Sequence, residues 1–187
     1  MQKRKHSGFL IGLLSVGVLI ATALTASPTQ AASGNGPYYA EPAWDQTLPA
    51  VARFMILNNF ASAAVLDRET GLVWEKSPAT TTGDWEDATD ECINKNVGGR
   101  RGWRLPAIAE LTSLIDPSVA PPGPTLPVGH PFSNVQSAFY GSATTRADHP
   151  GIARSVNFSN GGVASNDKND IDFHAWCVRG GMNADAY

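Results

Sequence analysis

Cysteine is nearly missing from this 187-residue chain, which carries only Cys92 and Cys177. Two thiols cannot build a zinc finger, and their spacing rules out a Cys-x-x-Cys redox pair. Histidine is sparse as well. Of four, His6 lies in the first segment, and His130, His149 and His174 stand in no His-Glu-x-x-His or other metal-ligand spacing. There is no Gly-x-Ser-x-Gly elbow and no glycine-rich loop fit to cradle phosphate. These absences remove the main metal, acyl-transfer and nucleotide chemistries and leave, among enzymes, only a hydrolase without a motif. Beyond the first 32 residues no apolar run approaches the ~20 residues that span a bilayer.

What the chain does have is material for a core. Hydrophobic residues make up 42%, with five Trp, seven Phe and four Tyr, while 18 Gly and 13 Pro point to a loop-rich fold. Residues 1–31 read as a secretory signal: Lys3, Arg4 and Lys5 form a basic start, Phe9 to Ile20 a short apolar run, and small residues lead to a cut after Ala31. The mature protein is therefore expected in the periplasm or outside the cell, with no membrane span. Losing three basic residues takes the formal charge from −3 to −6. An acidic surface argues against nucleic acid and, more weakly, against sulfated polysaccharide. The basic run Arg100, Arg101, Arg104 is a local exception. In an oxidising compartment two cysteines are most simply one disulfide, here closing an 85-residue loop (177 − 92); a catalytic Cys is the competing reading.

Residues 32–52 read as a flexible lead-in. Strands are expected at Arg53–Leu57, Ala64–Leu66 and Leu72–Trp74, the last two joined as a hairpin through Asp67–Gly71. A helix starts at Asp84, with Asp87 completing an acidic capping box, and sets Trp85, Ala88, Cys92 and Ile93 on one inward face. A second helix begins near Pro106 with Ile108, Leu111 and Ile115 inward. Pro117 to Pro131 holds six prolines and reads as a long ordered surface loop. Strands return at Phe139–Thr145, at Ser155–Phe158 paired across Ser159–Gly162 with Val163-Ala164, and at Phe173–Arg179. His174 is expected on a strand surface.

Four blocks occur in a recognisable order: Asp67-x-x-Thr70-Gly71-Leu72-x-Trp74; Gly102-Trp103-Arg104-Leu105-Pro106 with Glu110-Leu111 and Leu114; Asn157-Phe158-Ser159-Asn160-Gly161; and Cys177-Val178-Arg179-Gly180. Together they resemble the Lcl C-terminal domain family, named after a Legionella collagen-like adhesin, over residues 53–181, with 182–187 left as a tail. Where the family often has Tyr-Trp-Ser-Ser-Thr, this chain has Tyr140-Gly141-Ser142-Ala143-Thr144. The resemblance implies an α+β, C-type lectin-like fold: two helices packed on small antiparallel sheets, with a long irregular loop region. Within the second block, Trp103 and Leu105 are expected in the core, Arg104 in a fixed ion pair, and Pro106 at the helix start.

The expected function is an exported, non-enzymatic binding or adhesion module for a glycan or surface ligand. The alternative is a structural or assembly domain of a surface appendage or homo-oligomer that touches only protein. Recognition is expected on the irregular segments: Pro117–Pro131, Arg146–Gly151 and Asn166–Asp172. Arg146, Asp148, His149, Asn166, Asp167, Asn169 and Asp170 offer the hydrogen bonds, with His149 as the nearest ring. No cofactor is expected. Asn166 to Asp172 carries enough oxygen ligands for calcium to be weighed against a plain turn, although the usual lectin calcium triplets are missing.

Overall fold

The computed structural model describes residues 32–34, 48–170 and 172–180; the signal segment, most of the lead-in and the tail lie outside the described residues. Two five-stranded sheets carry the fold. The first has the order β1 (Ala32–Gly34), β2 (Phe54–Leu57), β3 (Ala64–Asp67), β4 (Val73–Glu75), β10 (Val178–Arg179). The second has the order β5 (Thr82–Gly83), β9 (Phe173–His174), β6 (Phe139–Arg146), β7 (His149–Asn157), β8 (Gly162–Asp167). Three short helices accompany them: α1 (Ala50–Arg53), α2 (Trp85–Asn94) and α3 (Ile108–Thr112). The architecture is α+β. Each sheet is mixed rather than purely antiparallel, because β1 runs parallel to β2 and β9 meets β6 in parallel at Tyr140 and His174.

The β3–β4 hairpin forms where the turn residues place it, with Val65 opposite Trp74. Gly71 stands at φ +72°, where a side chain would be strained, and donates its N–H to the Asp67 carbonyl at 2.8 Å. Asp67 itself is buried. Arg53 donates to both its carboxylate oxygens, at 2.8 and 2.6 Å, and also to the Ser113 carbonyl at 2.7 Å. One fork thus binds β3 to the start of β2 and to the end of α3. Thr70 holds the turn from the other side, its Oγ1 accepting from Leu72 N–H.

In α2 the capping box closes as the sequence predicts: Asp84 Oδ1 accepts from Asp87 N–H at 2.8 Å, and Asp87 accepts in return from Asp84 N–H. Ala88 and Cys92 face inward, but Ile93 is 58% exposed. At ~100° per residue Ile93 lies a full step round from Cys92, beyond the apolar stripe. The helix ends at Asn94, and Gly98 and Gly99, both at positive φ, form a separate turn between Val97 and Arg100. Pro106 does not start α3; Ala107 caps it, with Glu110 accepting from Ala107 N–H at 2.8 Å.

The expected closing strand Phe173–Arg179 is two strands in two sheets. Between them Ala175, Trp176 and Cys177 cross from one sheet to the other, all buried. Trp176 donates to the Glu75 carbonyl at 2.8 Å, and Glu75 N–H donates to the Cys177 carbonyl at 3.0 Å. Cys177 bridges to Cys92, with Cα atoms 5.2 Å apart across 85 residues of sequence. On the chain-entropy view such a loop stabilises by ~4–5 kcal/mol. One apolar cluster gathers around Trp74, Trp176, Phe54, Phe132, Tyr140 and Phe158; the other surrounds the disulfide with Trp103, Leu105, Phe60 and Phe173. At Gly141, the position where the family often has Trp, the Phe173 ring packs 3.4 Å from where a Cβ would stand. Phe173 takes up the space a larger residue would fill.

His174 is a correction to the sequence expectation. It is only 7% exposed, its ring lies 5.3 Å from Tyr140, and its Nδ1 stands 3.1 Å from the Thr81 carbonyl. Its strand is flanked on both sides, by β5 and by β6, so neither edge reaches solvent.

Candidate functional site

The polar residues singled out in the sequence come together at one end of the second sheet. β7 pairs antiparallel with β8, placing Ile152 opposite Asp167. The start of β7 and the end of β8 therefore share a rim. Lys168 N–H extends the ladder, donating to the Gly151 carbonyl at 2.9 Å. The segment expected as an irregular loop, Arg146 to Gly151, is instead the tip of the β6–β7 hairpin: Arg146 pairs with His149, and Gly151 already belongs to β7. The ladder beneath the tip shifts register between Gly141 and Thr145 and again between Thr145 and Arg146, before the Arg146–His149 pair closes it.

At that tip Arg146 Nε donates to Asp148 Oδ1 at 3.0 Å, and His149 Nδ1 lies 3.0 Å from Asp148 Oδ2. Asp148 and His149 are 60% and 63% exposed. The Arg146 hydrogen bonds, with a smaller contribution from His149, hold the Asp148 pKa down at about 2. Asp148 is thus ionised at neutral pH, held between the Arg146 guanidinium and the His149 ring.

Across the rim, Asp167 Oδ1 accepts from the Asn169 N–H and Nδ2, at 3.0 and 2.8 Å, which lowers its pKa. Its carbonyl accepts from Asp170 N–H at 3.1 Å. Asn166 Oδ1 accepts from Ser155 Oγ at 2.6 Å. Asp170 is exposed. This is the Asx-turn use of Asp and Asn, in which the side chain serves its own backbone.

Sequence reasoning missed Trp85. Expected on the buried face of α2, it is only partly buried and stands beside this rim. Its N–H donates to the Lys168 carbonyl at 2.9 Å, and the Lys168 ammonium sits 3.9 Å from its ring centroid. Its Nε1 donates to the Ser142 carbonyl at 2.8 Å. Helix periodicity alone could not separate Trp85 from Ala88, because residues three apart share one face of a helix. The one available sign was its place immediately after the cap.

Pro117–Pro131 does not join this rim. Thr125 is buried; its N–H and Oγ1 both donate to the Phe158 carbonyl, at 2.8 and 3.1 Å. Gly123, at φ +68°, approaches the same carbonyl so closely that a Cβ would stand 2.3 Å from it. Phe158 follows the end of β7, so the proline-rich loop is stitched to the opposite end of that sheet.

The second motif block is structural. Trp103 and Leu105 are buried, and Trp103 Nε1 donates to the Arg100 carbonyl at 2.8 Å. Arg104 grips both Glu110 oxygens at 2.7 Å and the Gly180 carbonyl at 2.7 Å. Gly102 takes φ +83°.

Comparison with known proteins returns one family. The model described as the Lcl C-terminal domain matches residues 63–179, which take in β3, the disulfide, both polar turns and β10. No curated protein matches the chain.

Proposed function

The chain belongs to the Lcl C-terminal domain family, and from that premise we propose that it is an exported, non-enzymatic binding or adhesion module of C-type lectin-like fold. The observation that carries the reading is the shared rim: Arg146, Asp148, His149, Asn166, Asp167, Asn169 and Asp170 at one end of one sheet, with Trp85 beside them. Polar side chains gathered on hairpins suit a polar ligand such as a glycan, which is held largely by hydrogen bonds. Trp85, with Lys168 stacked on its ring, is the aromatic beside them.

The lectin-like part of the proposal rests on a helix bearing one cysteine and a closing segment bearing its partner. Export is supported by the disulfide and by the basic and apolar pattern of residues 1–31. No catalytic role is assigned: both cysteines are committed to the bridge, and His174 is enclosed between strands. No cofactor is assigned either, since the Asp167 carboxylate is engaged by Asn169.

A glycan array probed with the exported chain is the test. Binding that falls at least tenfold in a variant with Asp148, His149, Asp167 and Asp170 all replaced by Ala, at an unchanged melting temperature, fits the proposal. A chain silent on the array that forms a stable homo-oligomer in light scattering fits the assembly alternative instead.

A further inference from the structure

β8 is the outermost strand of its sheet, and its outer edge has no neighbour among the described residues. Lys168 N–H points inward to Gly151, and successive residues of a strand turn their amides to opposite sides. Ala164 and Asn166 therefore face β7, while Val163, Ser165 and Asp167 face outward. The Asp167 carbonyl is taken by Asp170 N–H. That leaves five backbone groups without a partner among the described residues: the N–H and carbonyl of Val163, those of Ser165, and the Asp167 N–H. Proteins usually blunt such an edge with Lys, Pro or a bulge. β8 has no Lys or Pro, and its pairing with β7 runs unbroken from Asp167 to Gly162.

A cation waits above the same edge. Arg154 lies opposite Ser165, on the face shared by Ile152, Val156, Val163 and Asp167. Its Nη1 reaches outward to donate to Ser165 Oγ at 2.9 Å, and it joins no ion pair among the described residues. The carboxylate of Asp167, on this face of β8, is turned back to Asn169.

We infer that β8 is a docking edge for an extended segment of a partner protein, added as a sixth strand, with a Glu or Asp side chain meeting Arg154. A second copy of the chain fits less well. Antiparallel pairing about a two-fold axis would set two Arg154 guanidiniums on one face, reaching toward each other over strands ~4.8 Å apart. An acidic strand gives the same backbone bonds and neutralises the cation. The inference shares Asp167 with the glycan rim but rests on the open backbone edge of β8 and on Arg154, and does not need a glycan.

The test is amide NMR of the labelled exported chain, titrated with acetyl-Thr-Val-Glu-Val-Thr-amide and with the same peptide carrying Lys at its centre. Shifts centred on Val163, Ser165 and Asp167 are expected, with the Glu peptide bound about tenfold tighter, as one charge-assisted hydrogen bond warrants. Arg154→Glu should reverse the preference. Ser165→Pro removes an outward N–H without touching the ladder to β7, a placement edge strands tolerate, and should abolish binding. Failure of both peptides to bind, equal binding of the two, or shifts that avoid β8 would overturn the proposal. So would a homodimer that Ser165→Pro dissolves. If Ser165→Pro does not fold, the reversal by Arg154→Glu decides.

Discussion

Arg53–Asp67 and Arg146–Asp148 are the same two-pronged arginine–aspartate pair in opposite settings. The first is buried between β2, β3 and the end of α3, and the arginine also serves the Ser113 carbonyl and pairs with Glu69 at 3.1 Å. The second joins residues two apart at a hairpin tip open to water. In the interior, a charge left without its partner has no water to replace it. At the tip, water replaces either partner at once and salt screens what remains. The difference teaches that a motif residue and a surface residue cannot be ranked by their bonds alone; the dielectric around them decides whether the pair holds the fold or dresses the surface.

The comparison breaks most sharply at Asp67. Replacing it by Ala should cost ~2–3 kcal/mol in urea unfolding, since it removes the buried fork and leaves only Glu69, 3.1 Å from Nε, to neutralise Arg53. Changing Arg53 and Asp67 together to Met and Leu should recover part of that loss, the remainder being the Glu69 carboxylate and N–H that lose their partners. A double variant no better than Asp67→Ala would show that the pair does more than neutralise itself.

Arg104–Glu110 lies between the extremes, half-exposed but bonded to the Gly180 carbonyl as well. Arg104→Lys keeps the charge and loses the fork, for which we expect a loss of ~1–2 kcal/mol in thermal unfolding.

Glu75 tests burial without a full set of partners. Its Oε2 is buried and unbonded among the described residues, and desolvation pushes its pKa up more than Lys95, 3.0 Å from Oε1, pulls it down. The native state then holds this proton more tightly than the unfolded chain. Stability should therefore fall as the pH rises from the ordinary glutamate range through the raised value, and no penalty should act below it. Comparing wild type with Glu75→Gln across weakly acidic pH should show that slope in the wild type alone.

The smallest effect belongs to the tip. Arg146→Ala should lower the melting temperature at neutral pH far less than Asp67→Ala does, because water and salt screen the exposed pair, while the Asp148 pKa, read by carboxyl NMR, rises from its depressed value toward the ordinary ~3.9. As a depressed acid, Asp148 contributes only above the ordinary range, and that contribution fades as the pH falls toward its folded value. A drop as large as that of Asp67→Ala would erase the contrast.

Much of the first sheet was legible in the sequence, because Asp67 to Gly71 reads as a turn and the short runs flanking it are apolar throughout. The capping box of α2 and the Cys92–Cys177 pairing were legible for similar reasons, being local rules or simple counting. The candidate site was legible only as a set of polar residues. That Arg146–His149 and Asn166–Asp170 share a rim follows from the β7–β8 register, and that Pro117–Pro131 lies at the other end follows from Thr125 binding the Phe158 carbonyl.

The sequence by itself determined the local elements: caps, turns, apolar stripes and the one possible disulfide, each set by residues within a few positions of one another or by the lack of any other cysteine. The tertiary structure alone decided which sheet each half of Phe173–Arg179 enters, that His174 is buried, that Trp85 stands at the rim, and that β8 is left as an open edge. Those outcomes depend on pairings between residues tens of positions apart, where the energy of a strand lies in the neighbour it meets rather than in the strand itself.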